Sequence, residues 1–305
     1  MIKPSISPFF MRMYLDEFIS HIKHERRYSA HTAEAYSKDL SLFSSYLSDE
    51  YECNSLTEAT HVMIRSWMVA ELENGVKVSS VKRRVSTLRS FFKFAQSRGK
   101  LAINPMLKIV SPKSEKLLPN YVKESEMHHL LEKVEFEDGF SGLRDKLILE
   151  ILYQTGMRVS ELTEMSEGSV DFQKRELKVL GKRNKERIIP VSKELSEKLD
   201  VYVKEKKANF SENKSLLMVK DDGDKADRKF VYNKVKYYLS HVSSLNKRSP
   251  HVLRHTFATH MLKNGADLNA IKEILGHASL AATQVYAHNS LEQLKLSHKN
   301  AHPRK

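Results

Sequence analysis

The stretch that decides the fold covers residues 250–288 and reads PHVLRHTFATHMLKNGADLNAIKEILGHASLAATQVYAH. Apolar residues recur there every three or four positions, and Gly265 and Gly276 interrupt the pattern, which predicts consecutive short helices. Four polar residues lie near the predicted helix ends or on short helices: His251, Arg254, His277 and Tyr286. An arginine fork fits two phosphate oxygens at once, imidazoles transfer protons, and a phenol can act as a nucleophile. The stretch indicates phosphate chemistry, provided that the rest of the chain supplies a nucleic-acid partner and the missing groups.

A zinc pair is the alternative use of the histidines. His251 and His255 are four residues apart, which suits two ligands on one helix face. Val252 follows His251 where a zinc protease of this pattern has glutamate, and no further carboxylate or cysteine ligand is evident downstream. We therefore expect no metal.

The composition favours a polyanionic partner. The 305 residues carry 51 Lys and Arg against 38 Asp and Glu, a formal net charge of +13, which attracts nucleic acid, although some basic proteins bind none. Cys53 is the sole cysteine, which excludes a disulfide framework and fits a reducing compartment. The first residues lack a secretory apolar core, and no run reaches the roughly 20 apolar residues of a membrane helix. We expect a soluble, cytoplasmic protein with no membrane partner.

The first hundred residues predict an all-helical domain. Tyr14, Phe18 and Ile22 form one apolar stripe at helical spacing. Ser29 suggests the start of a second helix, whose apolar stripe lies within residues 36–47. A third helix is predicted over residues 60–73, with these side chains inward: Val62, Trp67, Met68 and Leu72.

The predicted fourth helix, residues 77–100, carries charge of one sign and no acidic residue. Its apolar residues share one face: Val81, Val85, Leu88, Phe92 and Ala95. The cations expected to bind DNA are Lys77, Lys82, Arg83, Arg84, Arg89 and Lys93. Lys and Arg beside Ser and Thr hydroxyls form the donor set that contacts phosphate, and such binding weakens steeply with salt. The alternative is a basic exposed helix without a partner.

Three prolines separate the two halves of the chain, at Pro105, Pro112 and Pro119. Proline removes a backbone donor and disfavours the helical conformation of the residue before it. Residues 109–118 are charged and lack helical periodicity. We therefore predict a helical DNA core-binding domain over residues 1–108, a linker over 109–118 and a second domain over 119–305.

The second domain is predicted to be helical around one small sheet. Arg158 precedes a short helix that Ser160 could cap, a place where an isolated arginine is usually a surface or capping residue. Residues 170–191 alternate apolar and polar side chains, which predicts an antiparallel hairpin with Lys182 at its tip. A lysine in a turn is usually solvent-exposed surface, and entry into a nucleic-acid groove is the functional alternative. The whole chain is predicted to be mainly α with a small antiparallel β-sheet.

The carboxyl-terminal stretch resembles the signature of the tyrosine recombinases, especially the bacterial Xer group. That signature has His-x-x-Arg, then Leu-Gly-His, then a tyrosine nine residues later, and here these are HVLR, LGH and Tyr286. TGMRVSEL resembles the family's arginine box and gives Arg158, and VLGKRNKERIIPV resembles its β-hairpin and gives Lys182. The first domain also resembles the family's core-binding domain. Arg183 departs from the pattern, because Xer proteins commonly carry glycine after the lysine.

The resemblance implies a covalent mechanism. Tyr286 would attack the scissile phosphate and form a 3′-phosphotyrosyl link. Arg158 and Arg254 would bind the non-bridging oxygens, in the place that magnesium takes in other phosphoryl-transfer enzymes. The covalent link conserves the phosphodiester energy, so that no cofactor is implied, neither a metal nor ATP.

The same resemblance assigns the proton transfers. Lys182 would act as general acid to the 5′ oxygen, His251 would accept the tyrosine proton, and His277 would donate to a phosphate oxygen.

The partners implied are a double-stranded DNA site and further protomers. Four protomers would assemble on two sites and pass through a Holliday junction, with a terminal helix at residues 291–300 docked on the neighbouring protomer. A second related recombinase and a DNA-translocase activator are further candidate partners.

The function predicted is Xer-type site-specific recombination that resolves chromosome dimers. The alternatives are an integrase of a phage or mobile element with the same chemistry, a type IB topoisomerase, and a DNA-binding accessory protein without catalysis. The two-domain length, without an additional arm-binding domain, favours the Xer type.

Overall fold

The structure is a computed structural model that describes these residues: 8–113, 120–181, 185–210 and 215–276. The chain divides into two compact units, Met1–Leu117 and Leu118–Lys305. Each unit has its own cluster of buried apolar side chains.

The first unit is helical throughout its described part. Its α-helices are α1 (Pro8–His24), α2 (Ala30–Tyr51), α3 (His61–Glu73) and α4 (Val78–Ser97). Short 3-10 turns cover Leu56–Glu58 and Pro105–Lys108. Ser29 caps α2 as predicted, because its Oγ accepts from the backbone N–H of Thr32 at 3.2 Å. Ile109, the first residue of the predicted linker, is buried in the core of this unit.

Helix α4 supplies the largest face of the first core. All five residues of its predicted apolar stripe are buried, which confirms that prediction. Four of them, Val81, Val85, Leu88 and Phe92, belong to one core cluster with Phe18 of α1, Phe43 of α2 and Trp67 of α3.

The inward face predicted for α3 is half wrong. Trp67 and Met68 are buried as predicted, but Val62 is 58% exposed and Leu72 is 38% exposed. Ile64 is buried instead. Val62 precedes Ile64 by two residues and therefore lies on the opposite side of a helix with 3.6 residues per turn.

Asp39 of α2 is a buried carboxylate with cations around it. Arg83 donates through Nη1 to its Oδ2, and Thr87 Oγ1 donates to the same oxygen at 2.8 Å. Arg84 Nε lies 3.9 Å from Oδ1, and Arg84 also pairs with Glu71 of α3. The charge of α4 is thus partly balanced within its own unit, as a buried carboxylate requires.

The described part of the second unit combines several helices with a three-stranded sheet. The helices are α5 (Glu124–Glu132), α6 (Phe140–Thr155), α7 (Val159–Thr163), α8 (Lys193–Asn209), α9 (Arg228–Val242), α10 (Pro250–Lys263) and α11 (Leu268–Leu275). The strands β1 (Val170–Asp171), β2 (Glu176–Leu180) and β3 (Glu186–Pro190) are antiparallel in the order β1-β2-β3. The predicted fold class, mainly α with a small antiparallel sheet, is confirmed.

Helix α6 runs through the middle of the second core. Leu147, Ile148, Ile151 and Leu152 are all buried. Three charged residues of the same helix, Arg144, Asp145 and Glu150, are buried as well, so that the helix is enclosed on nearly every side. No helix in the part of the chain that the structure describes combines the length and apolar character of a membrane span.

We predict that Asp39→Ala lowers the free energy of unfolding of the first unit by about 1–3 kcal/mol, because Thr87 and two arginines lose a buried acceptor. Denaturant titration of the full chain, followed by the fluorescence of Trp67, the sole tryptophan, measures this change. Asp49→Ala removes an exposed carboxylate from the same helix and should change stability by less than about 0.5 kcal/mol. Equal stability of the two variants would contradict the role given to Asp39.

Candidate active site

Arg158 is fixed at the first turn of α7 by a carboxylate. Glu161 accepts from the backbone N–H of Arg158 at 2.7 Å through Oε2 and from its Nη1 at 2.9 Å through Oε1. The predicted cap at Ser160 is wrong: Arg158 is the N-cap, because Glu161 satisfies the donor at that position. The side chain of Arg158 remains 38% exposed, so that part of it faces solvent.

Arg254 is a buried cation whose fork joins two separate segments. Its side chain belongs to α10 and the residue is 3% exposed. Nη1 donates to the carbonyl of Gly156 and Nη2 to the carbonyl of Leu275, both at 2.6 Å. The last carbonyls of a helix lack intrahelical partners and carry partial negative charge, which suits an arginine at the end of α11. The turn before Arg158 and the end of α11 therefore meet at one guanidinium.

Gly156 allows this close approach. Its φ is +59°, in the left-handed region. A Cβ atom there would lie 2.4 Å from Cδ1 of Phe257 and 2.7 Å from Cδ2 of Leu275. Glycine is thus needed both for the backbone conformation and for the contact between the turn and α11.

His251 lies near both arginines, at the start of α10. Partial burial and the charges of Arg254 and Arg158 lower its pKa, so that the neutral imidazole predominates at neutral pH. Its ring stacks on that of His255, with centroids 5.8 Å apart and an interplanar angle of 19°. Within the described ranges, no group of three or more His, Cys, Asp or Glu side chains could hold a metal ion.

Three of the predicted catalytic residues, Lys182, His277 and Tyr286, lie outside the described residues, as do Arg183 and the predicted helix at 291–300. The structure does describe Gly181, which precedes Lys182, and Gly276, which precedes His277. Gly181 follows β2, and its N–H donates to the carbonyl of Lys185 at 2.8 Å. Gly276 follows α11 in the left-handed conformation.

Two residues of the site escaped the sequence analysis, Glu161 and Arg187. Both nitrogens of the Arg187 fork contact the Glu161 carboxylate, at 3.0 and 2.8 Å. The position of Glu161, three residues after Arg158, is the spacing of a capping box and was an available signal. Arg187 and Ile189 share the inward side of β3, with the exposed Ile188 between them. A cation at an inward strand position usually has a buried partner.

The cations of α4 that were predicted to bind DNA have different surroundings. Arg83 and Arg84 contact the acidic groups described above. Arg89 donates to the carbonyl of Ile109 at 2.9 Å and to Oγ of Ser111 at 3.0 Å. Lys77 and Lys93 are exposed and have no acidic partner among the described residues.

Comparison with known proteins identifies the family. The model of the phage integrase family matches residues 120–293, and that of the phage integrase N-terminal SAM-like domain matches residues 15–99. The chain is 37% identical over 283 residues to the tyrosine recombinase XerC of Staphylococcus saprophyticus, covering 93% of this chain and 95% of that one. It is 38% identical to XerC of Staphylococcus carnosus, covering 96% and 98%. The chain is a Xer-type tyrosine recombinase of the phage integrase family.

Solved structures agree with this assignment. The XerA recombinase matches with a TM-score of 0.53 at 27% identity, over 96% of this chain and 99% of that one. The XerH recombinase, in a post-cleavage complex with its palindromic difH substrate, matches with a TM-score of 0.77 at 22% identity, over 95% and 85%. The second match shows the fold alone. As a Xer-type recombinase, the protein is a site-specific DNA strand-exchanging enzyme, which confirms the predicted family and reaction class.

We predict that Gly156→Ala destabilises the second unit by about 1–3 kcal/mol, because its Cβ overlaps Phe257 and Leu275, and that DNA cleavage falls with it. Gly265→Ala is the matched control, since Gly265 also has positive φ but no atom within 4 Å of an added Cβ. Thermal unfolding followed by circular dichroism and single-turnover cleavage measure the two effects. Equal losses of stability and cleavage in both variants would show that the backbone conformation, and not the contact with α11, explains the need for glycine at position 156.

Proposed function

We propose that Tyr286 attacks the scissile phosphate of one DNA strand and that the resulting 3′-phosphotyrosyl link is resealed onto a partner strand through a Holliday junction. One observation carries the proposal. Arg158 donates to the carboxylate of Glu161, and Arg254 donates to the carbonyl of Gly156, two residues before Arg158. The charges of both arginines act on His251.

The two arginines are suited to neutralise the non-bridging oxygens of the phosphate. A cation whose position is already fixed in a poorly hydrated site stabilises developing charge without the cost of reorganising solvent. Arg254 is nearly fully buried, and Arg158 is held by Glu161 while part of its side chain faces solvent. These fixed positive charges would do what a divalent metal does in other phosphoryl-transfer enzymes.

The neutral state of His251 suits the acceptance of a proton. Its pKa lies below the ordinary value near 6.5, so that the imidazole is unprotonated at neutral pH and can act as a base. Cleavage that needs this base should keep its full rate down to a pH below 6.5 and fall as the pH passes through the lowered pKa.

The remaining roles belong to residues on the neighbouring segments. Lys182 follows β2 and would donate a proton to the leaving 5′ oxygen, and His277 follows α11 and would donate a hydrogen bond to a phosphate oxygen. In this step the bond from the Tyr286 oxygen to phosphorus forms and the bond from phosphorus to the 5′ oxygen breaks. The phosphodiester energy is conserved, and the reaction needs neither ATP nor a metal.

The biological role that this chemistry would serve is the resolution of chromosome dimers. The XerC relatives and the DNA complexes of XerH support a protein that assembles on recombination sites. Four protomers on two sites are proposed, with a second related recombinase and a DNA translocase as candidate partners.

The first unit would grip the DNA backbone through one face of α4. Lys82, Ser86, Arg89 and Lys93 are spaced by three and four residues and therefore share a face. Arg83 and Arg84 are tied to Asp39 and Glu71 and would contribute mainly to the stability of the unit.

The covalent step is tested with a DNA substrate that is nicked beside the cleavage point, so that the adduct accumulates. The wild-type chain should form a protein–DNA adduct on a denaturing gel in the presence of EDTA, and Tyr286→Phe should form none. Strand exchange between two sites then separates a recombinase from a type IB topoisomerase. Absence of an adduct on a cognate site, or its loss on adding EDTA, would overturn the proposal.

We predict that Lys93→Ala weakens DNA binding about equally on cognate and unrelated duplexes, and lowers the slope of log affinity against log salt by about 1. Arg84→Ala should leave that slope unchanged and instead lower the stability of the first unit, because Arg84 lies against the buried Asp39 and the partly buried Glu71. Fluorescence anisotropy at a series of salt concentrations measures both slopes. Equal slopes for Lys93→Ala and the wild type would rule out this face of α4.

A further inference from the structure

Arg187 is a cation of the second unit whose contacts reach several parts of the candidate active site. It lies in β3 opposite Val179 of β2, and its side chain is 11% exposed. Ile188 beside it points outward and is 58% exposed, whereas Ile189 is buried. The strand therefore turns a charged side chain towards the interior at a position where an apolar one would be usual.

The first contact of Arg187 leads to Arg158. Arg187 Nη1 donates to Oε1 of Glu161 at 3.0 Å and Nη2 donates to Oε2 at 2.8 Å, a two-point pairing. The same two oxygens accept from Nη1 and from the backbone N–H of Arg158. Glu161 is thus shared between the two arginines, and Arg187 limits the orientations that the carboxylate can adopt.

The second contact leads to the end of α11. Nε of Arg187 donates to the carbonyl of Ile274 at 2.6 Å. The next carbonyl, that of Leu275, accepts from Arg254. Two arginines from different elements therefore hold consecutive carbonyls of the last turn of α11, immediately before the segment that carries His277.

The third contact involves two glycines. A Cβ at Gly276 would lie 3.3 Å from Nη1 of Arg187, and one at Gly181 would lie 3.5 Å from the same atom. Gly276 directly precedes His277 and Gly181 directly precedes Lys182. The guanidinium therefore lies beside the two described glycines that precede two of the proposed catalytic residues in the sequence.

We propose that Arg187 is a positioning residue that aligns Arg158 through Glu161 and fixes the backbone before Lys182 and His277. This rests on the proposed function. Arginine is required because its planar fork and its Nε make three directed hydrogen bonds, which a lysine ammonium cannot reproduce in the same geometry.

The electrostatics of Glu161 give this role a signature of its own. Burial alone would raise the pKa of Glu161, but the hydrogen bonds and charges of Arg187 and Arg158 outweigh it and hold that pKa below its ordinary value. Among the described residues, the charged groups that act on this carboxylate are Arg187 from β3 and Arg158 from the start of α7. Without Arg187 the pKa of Glu161 should rise, and a protonated Glu161 would hold Arg158 less well.

The experiment compares Arg187→Gln and Arg187→Lys with Lys178→Gln, which removes an outward-facing, 58% exposed cation from the same sheet. DNA affinity and single-turnover cleavage of the nicked substrate are measured for each folded variant. Arg187→Gln should bind DNA like the wild type but cleave about 100-fold more slowly, as expected when a reacting group is misplaced by about 1 Å. Arg187→Lys should recover only part of the rate, and Lys178→Gln should cleave at the wild-type rate.

The pH profile separates positioning from mere stability. The acid-side fall of the cleavage rate that protonation of His251 causes is expected in both chains. In Arg187→Gln the fall should be steeper than in the wild type, because Glu161 becomes easier to protonate and its protonation adds to that of His251. Combining Arg187→Gln with Glu161→Gln should slow cleavage by less than the product of the two single effects, because the two residues share the route to Arg158. A pH profile identical to that of the wild type, fully additive effects or a full rate in Arg187→Lys would overturn the proposal. If Arg187→Gln does not fold, Arg187→Lys carries the same comparisons, and failure of the wild type to form an adduct would instead contradict the proposed function.

Discussion

The second unit depends on a buried guanidinium that binds two backbone carbonyls. A cation in a protein interior is costly unless its donors are satisfied. Arg254 meets this requirement by binding the carbonyl of Gly156 and that of Leu275, which joins α10 to a turn nearly a hundred residues earlier and to the end of α11. Arg187 repeats the arrangement on the adjacent carbonyl of Ile274. The carbonyls that a helix leaves unpaired at its end thus become the fixed points that hold two guanidinium groups side by side.

The two units use arginine in opposite ways. In the first unit, Arg83 and Arg84 balance the buried Asp39 and its neighbour Glu71, so that part of the positive charge of α4 stabilises the helical packing. The cations that remain exposed on α4 are suited to a partner outside the chain. Net charge and a one-sign helix therefore indicate a polyanionic partner, but they overstate how many of the cations are available to it.

Much of the fold could be predicted from the sequence, because helices and their buried faces depend on local patterns of residues. Apolar spacing located α4 and its buried face, and Ser29 and Gly276 marked helix ends. The site was found by the resemblance of short motifs, which names residues but not their acceptors. Arg187 was missed because its role arises from a contact between a strand and a helix residue 26 positions away, which no local spacing encodes. Glu161 did carry a local signal, its capping-box spacing from Arg158. Val62 and Leu72 were misplaced because the inward face of α3 is set by how the helix packs against its neighbours.

The central claim is that fixed arginine charge, rather than a metal, neutralises the phosphate during cleavage. The direct measurement compares Arg158→Ala with the wild type on two nicked substrates in EDTA, one with an ordinary scissile phosphate and one with a methyl group in place of a non-bridging oxygen. The methyl group removes the negative charge that arginine would neutralise. The account predicts that Arg158→Ala loses adduct formation on the ordinary phosphate but retains it on the neutral one. Equal loss on both substrates would contradict it.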